Sequence, residues 1–319
     1  RDLLDRTLDH AFAQPESLGT TNAVVVVQRG TIVVERYADG MDAATMHVSW
    51  SMAKSMLQAA IGILVRDRRI DVAAVAELAD RLDDPRKNDI TIEQLLQHRA
   101  GYAWEESSTE LLELLYQGYL PDQRALVVVP LVRDPGSGHD YSNLSSHLLA
   151  IIVSRACEQD LLDFATEHLF GPLGIEPGDW MTDLEGYRNG HGDLELSALD
   201  MARFGQLYLD GGTVDGKQVV PASWIEDAWT LSSLLYDVHK MRTGHPLPDI
   251  AFAAQVSCCH GSHSKPNSNA ALPSGSGPMV MVQFERQQRE DLTVSFIEAM
   301  PERGLGYLGH LPGVEEVEG

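Results

Sequence analysis

Ser49-Trp50-Ser51-Met52-Ala53-Lys54-Ser55 is the stretch on which the reading of the fold turns. It opens a segment, residues 51–68, in which Met52, Met56, Ala59, Ile63 and Leu64 recur at helical spacing. Residues three apart on a helix share a face, so the Ser51 hydroxyl and the Lys54 amine can meet. A helix N-terminus adds partial positive charge and unsatisfied backbone N–H groups, which favour an uncharged amine and help to hold an oxyanion. A serine hydroxyl alone is a weak nucleophile, and a desolvated lysine can serve as its base. The spacing by itself is a weak signal. With 22 Ser and five Lys in the chain, about a third of one S-x-x-K match arises by chance. A second match exists, Ser262-His263-Ser264-Lys265, but it lies in Ser/Gly/Asn-rich sequence and runs into Pro266, so no helix holds its ends together. The plain alternative for Ser51 is an ordinary helix N-cap.

Support comes ninety residues on, from Tyr141-Ser142-Asn143. This triplet follows a turn, Pro135-Gly136-Ser137-Gly138, and precedes a helical pattern over residues 144–156. Tyr and Asn two apart at such a junction can face one cavity. A phenol beside an amine can relay a proton, and a carboxamide can bond both the amine and a substrate amide. A similar triplet, Tyr187-Arg188-Asn189, precedes Gly190. The plain alternative for Tyr141 is a half-buried core aromatic.

Farther out, residues 2–13 read as an amphipathic helix with Leu3, Leu4, Leu8 and Phe12 on one face. Residues 23–28 and 31–37 read as a hairpin about Arg29-Gly30. Residues 89–98 read as a helix opened by Thr91-Ile92-Glu93-Gln94 and stopped by Gly101. Helical patterns recur at 161–169, 197–209 and 222–229, with a surface turn marked by Gly211-Gly212 and Asp215-Gly216. Residues 256–278 read as a loop, and 279–285 and 292–298 as two strands. Strands, a long helical middle and strands again predict an α/β chain of the α+β type. Its antiparallel sheet is built from both chain ends, with an inserted all-helical lobe. One domain is expected over residues 1–319, the sheet lobe at about 1–48 and 232–319 and the helical lobe at about 49–231.

Composition bounds the function. The 319 residues carry 24 Lys+Arg against 47 Asp+Glu, a formal charge of −23, and 44% are apolar. That is globular composition, and the acid excess argues against nucleic acid and anionic lipid as partners. No apolar run reaches the ~18 residues of a membrane span. The 12 His are scattered, with none at i, i+4 beside a Glu, so neither a metal nor another cofactor is expected. His147 reads as a helix-surface residue. Cys157 sits in an apolar helical stretch, and adjacent Cys258-Cys259 suit neither a disulfide framework nor a zinc site. Unpaired thiols lean towards a reducing, cytoplasmic setting. Arg1 in place of Met leaves room for a removed start or leader.

The S-x-x-K and Y-S-N segments together resemble the penicillin-recognising serine hydrolases, in particular the class C β-lactamase-like branch that includes esterases and 6-aminohexanoate-dimer hydrolase. Residues 25–37 look like that family's first hairpin, and residues 49–55 are close to the nylon-oligomer hydrolase form of its nucleophile segment. Ile90-Thr91-Ile92-Glu93-Gln94-Leu95-Leu96-Gln97-His98 with Gly101 is similar to its "ITI..LL.H.SG" segment. Residues 168–175 and 200–208 match two more, so the likeness spans about residues 2 to 230.

The resemblance implies an acylated nucleophile at Ser51, a base or proton shuttle at Lys54, a second base and acid at Tyr141, and a carbonyl-binding amide at Asn143. It also implies a small-molecule ester or amide substrate; it says nothing of oligomeric state. Family loops in the position of Asp183, Tyr187 and Gly190-His191-Gly192 border the pocket, and the plain alternative for these residues is a solvent loop. A third segment, of K-T-G, H-x-G or G-x-G type, would supply a backbone N–H to the oxyanion hole. Here the chain departs from the pattern. Arg242-Thr243-Gly244 is followed by Pro246 and Pro248, His260-Gly261 lies in the loop, and Gly275-Ser276-Gly277 directly precedes a strand. Gly275, Ser276 and Gly277 are the favoured substrate-binding choice. Residues 236–273 look unlike the family and motivate one alternative to an esterase or linear amidase, a catalytically impaired acyl- or peptide-binding relative. A true β-lactamase is a further alternative.

Overall fold

The computed structural model describes residues 2–13, 20–76, 84–104, 129–229, 280–287 and 290–299. Residues 230–279 lie outside them, and with them Gly275, Ser276 and Gly277, the two other third-segment candidates, the second S-x-x-K and the cysteine pair.

Helix α1 (Asp2–Phe12) precedes a hairpin of β1 (Thr20–Gln28) and β2 (Thr31–Tyr37). Arg29 and Gly30 at its turn both have left-handed φ, 51° and 73°, the backbone a tight right-twisted hairpin requires. β7 (Val280–Gln287) and β8 (Glu290–Ala299) form a second antiparallel hairpin, and β8 pairs antiparallel with β1. The sheet order is β2-β1-β8-β7, so its strands come from residues 20–37 and 280–299. Alternation along β1 separates two cores. Ala23, Val25 and Val27 join the main core, while Val24 packs with Leu8 of α1 and Val34 of β2 on the opposite face.

Helix α2 (Ala53–Arg66) is the axis of the main core: every residue from Ala53 to Leu64 is buried. α3 (Ile92–Leu96) begins at a capping box in which Thr91 and Gln94 exchange side-chain and backbone bonds. It covers only the middle of the helix expected over 89–98. Residues Pro85–Asp89 form a separate 3-10 turn, because Pro85 follows the Asp84 cap and cannot continue an earlier helix. α4 (Asn143–Cys157) packs against α2 and α3. α5 (Leu161–Ala165) ends in a π turn, Thr166–Phe170, where an unbroken helix over 161–169 was expected. α6 (Ala198–Leu209) lies against β1, β7 and β8, and α7 is Ala222–Trp229. Four short strands complete the described elements: β3 (Met46–Val48) pairs with β4 (Glu195–Ser197), and β5 (Thr213–Val214) turns back on β6 (Lys217–Gln218). Among the described residues no helix is long and apolar enough to cross a membrane.

Candidate active site

Ser51 does not sit on the first turn of an α-helix. It is the middle residue of a 3-10 turn, Trp50–Met52, that leads into α2, and no side-chain cap bond forms at Ser49 or Met52. The N-cap reading of Ser51 therefore fails: its hydroxyl is used elsewhere. Trp50 has φ +46°, a left-handed conformation that costs a non-glycine residue about 1–2 kcal/mol. It is held there by the β3–β4 ribbon, since Ser49 N–H donates to Leu194 O at 2.7 Å, and by packing of Trp50 on the main core.

Two side chains converge on that oxygen. Lys54 Nζ donates to Ser51 Oγ at 3.1 Å, and the Tyr141 hydroxyl donates to the same atom at 2.8 Å. Lys54 Nζ also lies 4.9 Å from the centroid of the Tyr141 ring, a cation–π distance. Lys54 is fully buried, and its amine donates further to the carbonyl of His191 at 2.6 Å. The packing of α2 on α4 brings the two motifs together, and Tyr141 occupies the irregular backbone just before α4. Asn143 is the first residue of α4 and is buried. Three of the residues chosen from the sequence, Ser51, Lys54 and Tyr141, are thus in mutual contact, with Asn143 two residues from the tyrosine. Gly275, Ser276 and Gly277 lie outside the described residues; β7, the strand that follows them, runs beside the Trp50–Met52 turn.

Other residues have site roles that the sequence did not disclose. The His191 carbonyl is a backbone group, and no side-chain pattern marks it. It is fixed because the Trp180 indole donates to the carbonyls of Asn189 and Gly192 on either side, at 2.7 and 2.9 Å. Gly190 packs between α2 and α4: a Cβ there would stand 2.5 Å from Ser146 O and 2.6 Å from Ala150 Cβ. The expectation for His147 is corrected. It is buried, 2% exposed, because α4 is a central helix and the buried run Asn143–Ile151 leaves it no solvent face. Its Nε2 pairs with Asp183 Oδ2 at 3.0 Å, and its ring stands edge-on to His191 at 6.0 Å. Asp183 and Gly190-His191-Gly192 are buried, so they do not form a solvent loop.

The electrostatics follow from burial. Burial pushes the Asp183 carboxyl up, but the His147 hydrogen bond and the Tyr187 and Glu185 N–H groups outweigh it and hold it below the ordinary carboxylate value. Burial, with the Lys54 charge and His147 beside it, keeps His191 neutral well below 6.5. Burial likewise depresses His98, with His139 and Lys54 adding to the effect. Asp193 is raised, mainly by burial, against the opposing pull of Asn189 and Lys54. Among the described residues no cluster of His, Cys, Asp and Glu could hold a metal ion.

This chain brings the Lys54 amine and the Tyr141 phenol together at the hydroxyl of Ser51. It is 24% identical to 6-aminohexanoate-dimer hydrolase from Paenarthrobacter ureafaciens, over 65% of this chain and 56% of that protein. The chain spans about half the length of the curated relatives it matches. Among solved structures, it superposes on a D-stereospecific amidohydrolase from Streptomyces sp. with a TM-score of 0.64 and 16% identity, covering 91% of this chain and 93% of that one. The penicillin binding protein from Bacillus halodurans gives 0.61 and 16%, covering 88% and 92%. At those identities the likeness is one of fold, and it bears out the expected α+β class. The family model described as Beta-lactamase matches residues 5–230, well over half of the sequence. The chain belongs to the beta-lactamase family.

Proposed function

We propose that the chain is a serine hydrolase that cleaves an ester or amide bond through an acyl-enzyme on Ser51. One observation carries this reading: a buried amine and a phenol both reach the oxygen of a serine held in a strained turn. Ser51 Oγ attacks the carbonyl carbon and its proton passes to Lys54, as the free amine, or to Tyr141, as the phenolate. The tetrahedral oxyanion is held by backbone N–H groups at the head of α2 and from the neighbouring β7 edge. On collapse the bond to the leaving group breaks, and the stored proton returns to that alkoxide or amine. Water then attacks the acyl carbon, gives its proton to the same base, and releases the acid and free Ser51. Asn143 binds the substrate carbonyl region.

For substrate, short-chain esters or linear amides come first and penicillins second. The Ser49-Trp50-Ser51-Met52 form leans that way, and the likeness to 6-aminohexanoate-dimer hydrolase supports it. A panel of p-nitrophenyl esters, 6-aminohexanoate dimer and a chromogenic cephalosporin ranks the classes. Turnover of esters or dimer that disappears in Ser51→Ala is the expected outcome. Turnover of the cephalosporin alone would overturn the substrate assignment.

A further inference from the structure

Tyr141 carries a proton in the proposed reaction, yet it belongs to no helix or strand; residues 138–142 are irregular and α4 starts only at Asn143. What places its hydroxyl over Ser51 must therefore act on the backbone around it. Both backbone N–H groups that flank Tyr141 go to one residue. Ser142 N–H donates to the ring Nδ1 of His98 at 3.2 Å, and Asp140 N–H donates to the His98 carbonyl at 2.9 Å. The His98 ring packs on the phenol itself, with centroids 4.9 Å apart and planes inclined by 37°. Its neighbour Arg99 ties down the start of the same segment: the Gly136 N–H donates to the Arg99 carbonyl at 2.7 Å and the guanidinium returns a bond to Gly136 O. His98 is itself rigid, being 3% exposed and locked at φ +53°.

We propose that His98 is a positioning residue for the reaction, its Nδ1 acceptor anchoring the Tyr141–Ser142 backbone so that the phenol stays in register with Ser51 Oγ. This rests on the reading of Ser51 and Tyr141 as reacting groups. An Nδ1 that accepts from a backbone N–H is unprotonated, so the proton sits on Nε2 and the ring is neutral. His98 takes no part in proton transfer; it fixes the tyrosine. Loss of the acceptor leaves the Ser142 N–H buried and unsatisfied, and the segment must shift to satisfy it.

Two substitutions separate acceptor from ring. In His98→Asn, Oδ1 falls near the place of Nδ1, and Asn tolerates a left-handed φ. In His98→Phe the ring remains and the acceptor is lost. The test is steady-state hydrolysis of p-nitrophenyl acetate by the full chain, with circular dichroism to establish folding. His98→Phe is expected to lower kcat about tenfold or more, with KM within about twofold, since a displacement near 1 Å is enough for such a loss. His98→Asn keeps kcat within about threefold of the parent, and His98→Phe costs nothing further in a Tyr141→Phe background. A merely structural histidine would instead give losses that multiply. Wild-type kcat in His98→Phe, multiplying losses in the double variant, or a folded His98→Asn that loses kcat about tenfold would each overturn the inference. Should His98→Phe not fold, His98→Asn decides alone. Ester turnover that survives in Ser51→Ala would instead remove the underlying reading. Turnover that depends on Ser51 and Tyr141 but ignores His98→Phe removes only this one.

Discussion

The hydroxyl of Tyr141 lies 2.8 Å from Oγ of Ser51, although ninety residues separate them in sequence. That contact converts a local Ser–Lys pair, which chance alone produces often, into a three-membered proton network. Groups acting as one unit are not additive. Ser51→Ala and Lys54→Ala should each lower ester turnover on the order of 10³-fold or more, and the double variant little further. Tyr141→Phe should cost about 10²- to 10⁴-fold, the range of a positioned acid–base group. Initial rates with p-nitrophenyl acetate check this. Additive losses would contradict a shared network.

Stability should fall as the solution is acidified from neutrality, before carboxylates titrate. His98 and His191 are both held neutral in the fold, well below the ordinary value of 6.5. Below about 6.5 the unfolded chain binds protons on these rings and the folded chain does not, so the equilibrium moves towards unfolding. The groups facing them are His139, Lys54 and Tyr141 for His98, and Lys54 and His147 for His191. Each ring contributes at most roughly 1.4 kcal/mol per pH unit. Asp193, raised by burial, works in the opposite sense and only nearer its own ordinary value of 3.8. Urea midpoints that decline between about pH 6.5 and 5, and less steeply in His98→Asn, are expected; a flat profile would contradict the burial of both rings.

The His147–Asp183 pair should be costly to break. Both side chains are 2% exposed, and removing the imidazole strands a carboxylate in the interior. His147→Ala is expected to lose about 1–3 kcal/mol, measured by chemical denaturation near pH 7.5. A loss below about 1 kcal/mol would mean that water or a rearranged neighbour replaces the imidazole.

Gly190→Ala tests the close approach that sets the Lys54 acceptor. Its Cβ would meet a backbone oxygen of α4 at 2.5 Å, and Leu57 of α2 stands at 2.9 Å on another side. The loop must move, at a cost of roughly 1–3 kcal/mol. Because the next residue offers its carbonyl to Lys54, ester turnover should fall together with stability. Unchanged kcat in a destabilised variant would separate the loop from the lysine.

How much of this was legible depended on how local each signal was. The Ser51–Lys54 pair is an i, i+3 relation and can be read off seven residues. The Arg29-Gly30 turn and the Thr91/Gln94 box carry their own chemistry, so the first hairpin and the start of α3 were readable too. Tyr141 became legible only through its order after the Ser–Lys segment. The β3–β4 ribbon was not, since three-residue strands pairing 46–48 with 195–197 leave no periodicity. Nor was the burial of His147: a polar residue on an apolar helix gives no sign of whether a neighbour like Asp183 waits for it. Backbone devices are the least visible. The left-handed turn at Trp50 and the His191 carbonyl depend on packing that no residue type announces.

The central claim is that Ser51 is the nucleophile. Incubation of the full chain with a fluorophosphonate, followed by intact mass and peptide analysis, tests it directly. One adduct per chain located on Ser51, absent in Ser51→Ala and slowed in Lys54→Ala, is the predicted result. No adduct on the parent chain, or an equal adduct on Ser51→Ala, would contradict it.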